Sequence, residues 1–264
     1  MSRQDAAMSK VPVTDTGDLP LYLYTFTNHE EKHSDTITVI VQDNRALLID
    51  TAYPEYARRV KKDIEQQGIK PEIIVLSHYH PDHVSGCAAF PGCHIYASEF
   101  YQYNYANCQV WEPDFTYLRP KQLIRDSDLL SFGDFELRFH HSPGHSKCGI
   151  ITRITEKIIH VGDLIMITWD RKNSLPYITD GGSFEGHMKS LELIKKLDPD
   201  AIVVPHGGLI DNKKRINALV EDRLYYLEKT LSSKGTLPMA ECLKNDISWY
   251  DHLNFHDMNV VQLL

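Results

Sequence analysis

Little in this sequence supports covalent staples, a membrane span or a polyanionic partner. The five cysteines (Cys87, Cys93, Cys108, Cys148, Cys242) are an odd number without a Cys-x-x-Cys pair. Neither a disulfide framework nor a zinc knuckle is therefore indicated, and free thiols are expected. No apolar run reaches the ~18 residues that would suggest a spanning helix. The first twenty residues lack the basic start, apolar run and small-residue cleavage site of a signal peptide. A cytoplasmic location with no membrane partner is the expectation. Positive charge is also scarce: 28 Lys and Arg against 36 Asp and Glu leave a net charge of -8. A broad basic face that neutralises phosphates is excluded, and with it a general nucleic-acid partner. What remains is a globular composition, 42% hydrophobic and 24% charged over 264 residues, able to build a core unaided. No interdomain linker is visible, so 1–264 is read as one domain.

Histidine is what the chain has in surplus. Its 14 His exceed its 9 Phe, and several sit beside Asp in short clusters. The densest is Ser77-His78-Tyr79-His80-Pro81-Asp82-His83, directly after the apolar run Ile73-Ile74-Val75-Leu76, which reads as a buried strand. In an extended segment residues two apart project to one side, so His78 and His80 can point at one metal ion. Pro81 then turns the chain, and Asp82 and His83 face a second position. The carboxyl end of a strand is where ligands usually bind in α/β sheets. The plainer alternative is an exposed polar turn with Asp82 as a helix N-cap.

Alternating β-branched and aromatic runs predict strands over 21–26, 36–41 and 46–49, followed by a helix that starts at Pro54 and stops at Gly68. The second half repeats this logic, with strands over 135–140, 149–154 and 157–161, a helix over 184–197 and a buried strand over 201–204. Apolar residues at three- and four-residue steps make 213–231 helical, and a short helical stretch is expected near Val260. Two βα halves facing each other suggest an α/β fold, a four-layer αββα sandwich with a helical C-terminal extension over about 213–264.

His78-x-His80-x-Asp82-His83 resembles the signature of the metallo-β-lactamase fold superfamily. Its pattern asks for a further His in a Pro-Gly-His turn, an Asp at a strand end and a last His after a hydrophobic strand near a Pro. The chain has Pro143-Gly144-His145, Val161-Gly162-Asp163 and Val203-Val204-Pro205-His206. Alone, His145 would read as a turn residue, Asp163 as a strand-end Asx turn and His206 as an interior histidine. Four motifs in order, covering about 36–208, reverse that reading. The resemblance assigns His78, His80 and His145 to one metal ion, Asp82, His83 and His206 to another, and Asp163 to a bridging position. It implies a hydrolase with two divalent transition metal ions, zinc first, iron or manganese next.

Five imidazoles with two carboxylates suit such ions better than calcium or magnesium, which want oxygen. Two ions, two carboxylates and a hydroxide leave about one positive charge, so such a site stays electrophilic. Asp82 is the candidate catalytic residue, orienting the hydroxide and relaying a proton to the leaving group. The expected partner is a small-molecule ester, thioester or lactone. A mononuclear iron enzyme similar to persulfide dioxygenases, and a small-molecule phosphodiesterase, are the alternatives.

Departures from the resemblance narrow the substrate. Met166 stands where lactone-opening members carry Tyr, Asp163 where the classical β-lactamases have Cys or Ser, and Pro205-His206-Gly207 replaces the commoner Pro-Gly-His-Gly. His80 also departs from the flavodiiron branch, which has an acidic residue there. The aromatic stretch 96–117 is read as a helix and loop whose rings pack on the sheet, line a pocket or meet a second copy in a homodimer. Segment 169–177 offers Arg171 and Lys172 to an anionic substrate group, or to solvent. Cys148 reads as a small buried residue.

Overall fold

The computed structural model describes residues 5–13, 20–29 and 32–263. Seven strands form the first sheet in chain order: β1 (Ala7–Pro12), β2 (Leu21–Asn28), β3 (His33–Gln42), β4 (Arg45–Ile49), β5 (Lys70–Val75), β6 (His94–Ser98) and β7 (Gln122–Ile124). β1 to β4 are antiparallel neighbours, and β4 to β7 run parallel. β3 and β4 are joined by Asp43 and Asn44, both at positive φ (50° and 58°). That is the two-residue turn whose twist matches a hairpin, and Asp and Asn tolerate it best after Gly.

The second sheet contains β8 (Leu129–Phe132), β9 (Phe135–His141), β10 (Ile150–Arg153), β11 (Ile158–His160), β13 (Ala201–Val204) and β14 (Gly208–Ile210), in the order β14-β13-β11-β10-β9-β8. The short β12 (Asn173–Ser174) pairs with β15 (Tyr250–Asp251). Helices are α1 (Pro54–Gln66), α2 (Pro81–Val84), α3 (Tyr101–Trp111), α4 (Phe184–Leu197), α5 (Lys213–Ser232), α6 (Met239–Cys242) and α7 (Phe255–Val261).

The strands alternate between two apolar environments because both faces of each sheet are covered. On β4, Leu47 and Ile49 join a cluster with Leu137, Phe139 and Val203 of the other sheet. Ala46 and Leu48 instead pack with Tyr56, Val60 and Ile64 of α1. On β13, Val203 faces the first sheet, while Ile202 and Val204 meet Leu191 and Ile194 of α4 and Leu219 and Val220 of α5. The result is the four-layer αββα sandwich.

Caps explain the helix limits. Pro54 opens α1, and Gly68 beyond it has φ +74°. Ser183 accepts from the Gly186 N–H at the start of α4, Asp198 ends it in the left-handed conformation, and Asn212 accepts from the Arg215 N–H to start α5. The aromatic stretch is not only helix and loop: β6 occupies 94–98, a strand the sequence reading did not mark, and α3 follows. No helix among the described residues is long and apolar enough to cross a membrane. The five cysteines are free and buried.

Candidate metal centre

Every candidate donor sits where a strand ends. After β5 the chain continues through Leu76 and Ser77 to His78 and His80, and α2 then carries Asp82 and His83. His80, not Asp82, is the N-cap of α2, and its side chain makes no cap hydrogen bond; Asp82, in the first turn, lines a cavity instead, so the capping alternative is set aside. His145 follows β9, Asp163 follows β11 and His206 follows β13. Gly144 leaves no room for a side chain, since a Cβ there would lie 2.4 Å from the His187 Cα. Helix α4 can therefore press directly on the turn that presents His145.

These seven residues form two groups. Nε2 of His78 lies 2.9 Å and Nε2 of His145 3.0 Å from Nδ1 of His80. The far nitrogens of these rings are all occupied. His145 Nδ1–H donates to the Tyr177 carbonyl (2.8 Å), and His80 Nε2–H to Asp180 Oδ2 (2.9 Å). The Ser77 hydroxyl donates to Asp50 Oδ2 (2.7 Å), so it accepts from His78 Nδ1–H at 3.1 Å. With the protons on the far side, three lone pairs face one another at about hydrogen-bond distance, an arrangement that a cation at their focus would stabilise.

In the second group, Asp82 Oδ2 is 3.2 Å from His206 Nε2 and 3.5 Å from His83 Nε2. His206 Nδ1–H donates to the Ser34 carbonyl (3.0 Å), and His83 Nδ1–H to Asp50 Oδ2 (2.9 Å). Asp163 Oδ2 belongs to both groups. It is 3.3 and 3.5 Å from Nε2 of His206 and His83, and 3.8 and 3.7 Å from Nε2 of His78 and His145. His83 Nε2 and Asp163 Oδ1 are buried without a hydrogen-bond partner. Such atoms are rare in a finished interior, and His83 Nε2 faces Asp82 Oδ2 and Asp163 Oδ2, donors of metal-ligand type. The groups His78, His80, His145 and Asp82, His83, Asp163, His206 each converge closely enough to hold an ion. The residues thus fit the pair of transition metal ions that the sequence implies.

Electrostatics separate the two groups. Burial pushes the His145 pKa down to about 4, and the His80 imidazole adds to the effect; His78 is lowered by burial and by His83 and His80. Burial also opposes charge on His83 and His206, but the carboxylates of Asp82 and Asp163 outweigh it and hold both well above the usual imidazole range. Burial disfavours the Asp163 carboxylate as well, yet His206, His83 and His78 keep it well below the usual range.

Two positioning residues escaped the sequence reading. Asp50 follows β4 at φ +60°, a strained conformation for a residue with a side chain. It accepts from the Ser77 N–H, the Ser77 hydroxyl and His83, and so ties the end of β5 to α2. The acid after the apolar run Ala46-Leu47-Leu48-Ile49 was a usable signal, the same one that marked Asp163. Asp180, which also accepts from the Asn104 and Asn107 side chains, stands directly before Gly181-Gly182, a setting that turn residues share. No local pattern links it to His80.

A cavity of about 410 Å³ opens over the two groups, with His80, Asp82, His145, Asp163 and His206 among its lining residues. Trp111 stands 5.3 Å from the His80 ring. Of the aromatic stretch, Tyr101 and Tyr117 are thus core and Trp111 is cavity wall. Arg171 and Lys172 do not line the cavity. Arg171 donates instead to the Gly207 and Leu209 carbonyls at 3.0 and 3.2 Å. Cys148 Sγ accepts from the Tyr79 N–H at 3.3 Å, and burial pushes its thiol up to about 11, as for a packing residue.

Comparison with known proteins agrees with this geometry. The family model for the metallo-beta-lactamase superfamily matches residues 34–206. A hydroxyacylglutathione hydrolase of Tolumonas auensis is 32% identical over 119 residues, 44% of this chain and 41% of that protein. The match therefore spans about two fifths of that relative. Acyl-coenzyme A thioesterase MBLAC2 of Gallus gallus is 24% identical over 78% of this chain and 81% of its own. Among solved structures, a metallo-beta-lactamase from Pontibacter korlensis superposes with a TM-score of 0.66 at 17% identity, covering 84% of this chain and 99% of that one. The chain belongs to the metallo-beta-lactamase superfamily.

Proposed function

We propose that this protein is a hydrolase of small-molecule thioesters and related carbonyl esters, working with two divalent transition metal ions, zinc first. The observation that carries the reading is Asp163 Oδ2, within 3.3 to 3.8 Å of four imidazole nitrogens drawn from both donor groups, beside an open cavity. When bound, two such ions supply Lewis acidity and a water acidified to a pKa of about 7. His78, His80 and His145 would hold one, Asp82, His83 and His206 the other, and Asp163 both.

The chain's own residues then position and move protons. Asp82 lines the cavity and is placed to orient the attacking water and pass a proton to the leaving atom. Asp180, Tyr177, Ser77, Asp50 and Ser34 lock the ring orientations, so no reorganisation is needed when charge develops. A complete second group favours two ions over the single iron of a persulfide dioxygenase. The names of the hydroxyacylglutathione hydrolase and thioesterase relatives support a thioester.

The test is metal analysis of purified protein with turnover of a small thioester, ester and phosphodiester panel. Two ions per chain and thioester or ester turnover that collapses in His80→Ala and Asp163→Ala are expected. Full activity in both folded variants would sink the proposal, and so would exclusive phosphodiester turnover.

A further inference from the structure

Among the described residues, the cavity over the donor groups is lined by no lysine or arginine. Neighbouring cations are turned elsewhere. Arg171 is held on the Gly207 and Leu209 carbonyls. Arg223 is buried and donates to the Met166 and Ser174 carbonyls at 2.6 and 3.1 Å, and Lys32 pairs with Asp251 at 3.3 Å. A carboxylate or phosphate entering the cavity therefore meets no fixed side-chain counter-charge away from the donor groups.

What the cavity offers is a flat apolar wall. The rings of Tyr177 and Phe255 stack at 4.7 Å and 15°, and those of Phe255 and His252 at 5.2 Å and 13°. Met166 and Ile167 extend this lining. The wall is preorganised from behind. His252 has φ +50°, and its Nδ1 lies 2.9 Å from the Ser174 hydroxyl. Asn259 on α7 accepts from the Ile178 N–H and donates to the Pro176 carbonyl, at 2.9 and 2.6 Å. Those bonds fix α7, and with it Phe255, against the segment that carries Tyr177.

We propose that this wall selects the acyl half of the substrate: an uncharged, apolar acyl group lies along Tyr177, Phe255 and His252, and an anionic thiol carrier, where the substrate has one, stays outside the cavity. The assignment rests on the hydrolase reading. The volume of about 410 Å³ falls in the range of small-molecule pockets, roughly 300 to 1,000 Å³, with room for a medium-length or aromatic acyl chain.

Two measurements test it. In the first, metal-free protein is titrated calorimetrically with uncharged S-alkyl thioethers of N-acetylcysteamine, which cannot be hydrolysed. Affinity is expected to rise with chain length by up to about fourfold per methylene, less steeply in Phe255→Ala. If that variant does not fold, the wild-type slope decides alone. A flat slope overturns the proposal.

In the second, zinc-loaded protein is given acetyl and hexanoyl thioesters of neutral N-acetylcysteamine and of anionic glutathione, with the ethyl esters beside them. Hexanoyl is expected to exceed acetyl in kcat/KM by about tenfold or more, with the two thiol carriers within about threefold of each other. A preference for the glutathione carrier greater than about tenfold overturns the proposal, because the carrier would then be recognised. A length-dependent titration without any turnover would support the acyl wall and refute the hydrolase reading; turnover indifferent to chain length would do the reverse.

Discussion

The two donor groups use the same side chain to opposite effect. His78 and His145 face other imidazoles in a buried setting and are held neutral. His83 and His206 are equally buried but face carboxylates, which favour the protonated ring. Company, not burial, decides which histidine is a lone-pair donor and which can keep a proton. Without a cation the second group can hold together as ion pairs. The first has no proton or carboxylate of its own between its rings, and only Asp163 reaches into it from the other side.

Asp163 is therefore where the comparison breaks most sharply. Asp163→Asn removes the one negative charge common to both groups, and is expected to lower kcat/KM by about a hundred- to a thousandfold, given what single charge-stabilising groups are worth in catalysis. It should also leave fewer than two ions after dialysis. His145→Ala, by contrast, should cost one ion and leave the second group loaded. If Asp163→Asn keeps two ions and most activity, the groups are independent and the bridging role is wrong.

Next in size are the carboxylates behind the rings. Asp180 acts on the first group through His80; Asp50 acts directly on the second through His83 and reaches the first only indirectly, through the Ser77 hydroxyl that accepts from His78. Asp180→Asn and Asp50→Asn should each weaken metal binding about 10- to 100-fold, the usual cost of losing such a support. Chelator competition would show two separate dissociation constants, Asp180→Asn moving the first group's and Asp50→Asn moving chiefly the second group's. Should both variants move the same constant, the division into two groups would be false.

Much of this was legible in the sequence, and the reason differs by element. Helix α4 has the predicted bounds because Ser183 caps it and Leu191 and Ile194 repeat on one face. The β3–β4 turn announced itself through Asp43-Asn44. His78, His80, Asp82 and His83 stood out as a cluster directly after an apolar strand, whereas His145, Asp163 and His206 read as donors only through the order of the four motifs that carry the resemblance. Strand β1 was missed since its residues are mostly exposed and do not alternate cleanly. Strand β6 was hidden in an aromatic stretch whose rings serve both core and cavity. Of the two readings of Arg171 the substrate one failed, because a cation free to meet a ligand and one bound to two carbonyls look alike along a chain. Asp180 was invisible for the same reason: its bond to His80 joins residues 100 apart, and such contacts impose no period.

A third histidine environment gives the smallest effect. His187 on α4 is buried, and its Nε2–H donates to the Leu164 carbonyl at 3.0 Å, while Nδ1 has no partner. Burial lowers its pKa from 6.5 to about 3, with His145 and Arg223 adding to the fall against the Leu164 hydrogen bond. It faces neither a carboxylate, as His83 does, nor a converging set of lone pairs, as His78 does. Above pH 6.5 the ring is neutral folded and unfolded, so it leaves stability unchanged with pH. As pH falls from 6.5 towards 3 the unfolded chain takes up the proton and the folded one does not. Stability is then lost across that window, and below it both forms are protonated. His187→Gln keeps a donor for the Leu164 carbonyl and removes the titration. Urea unfolding of both proteins at pH 6.5 and pH 5 should show the wild type losing about 1.5 kcal/mol more than the variant over that step. The donor groups titrate alike in both, so they cancel in the difference; equal losses would mean that His187 is protonated within the fold, and that burial alone does not keep an imidazole neutral here.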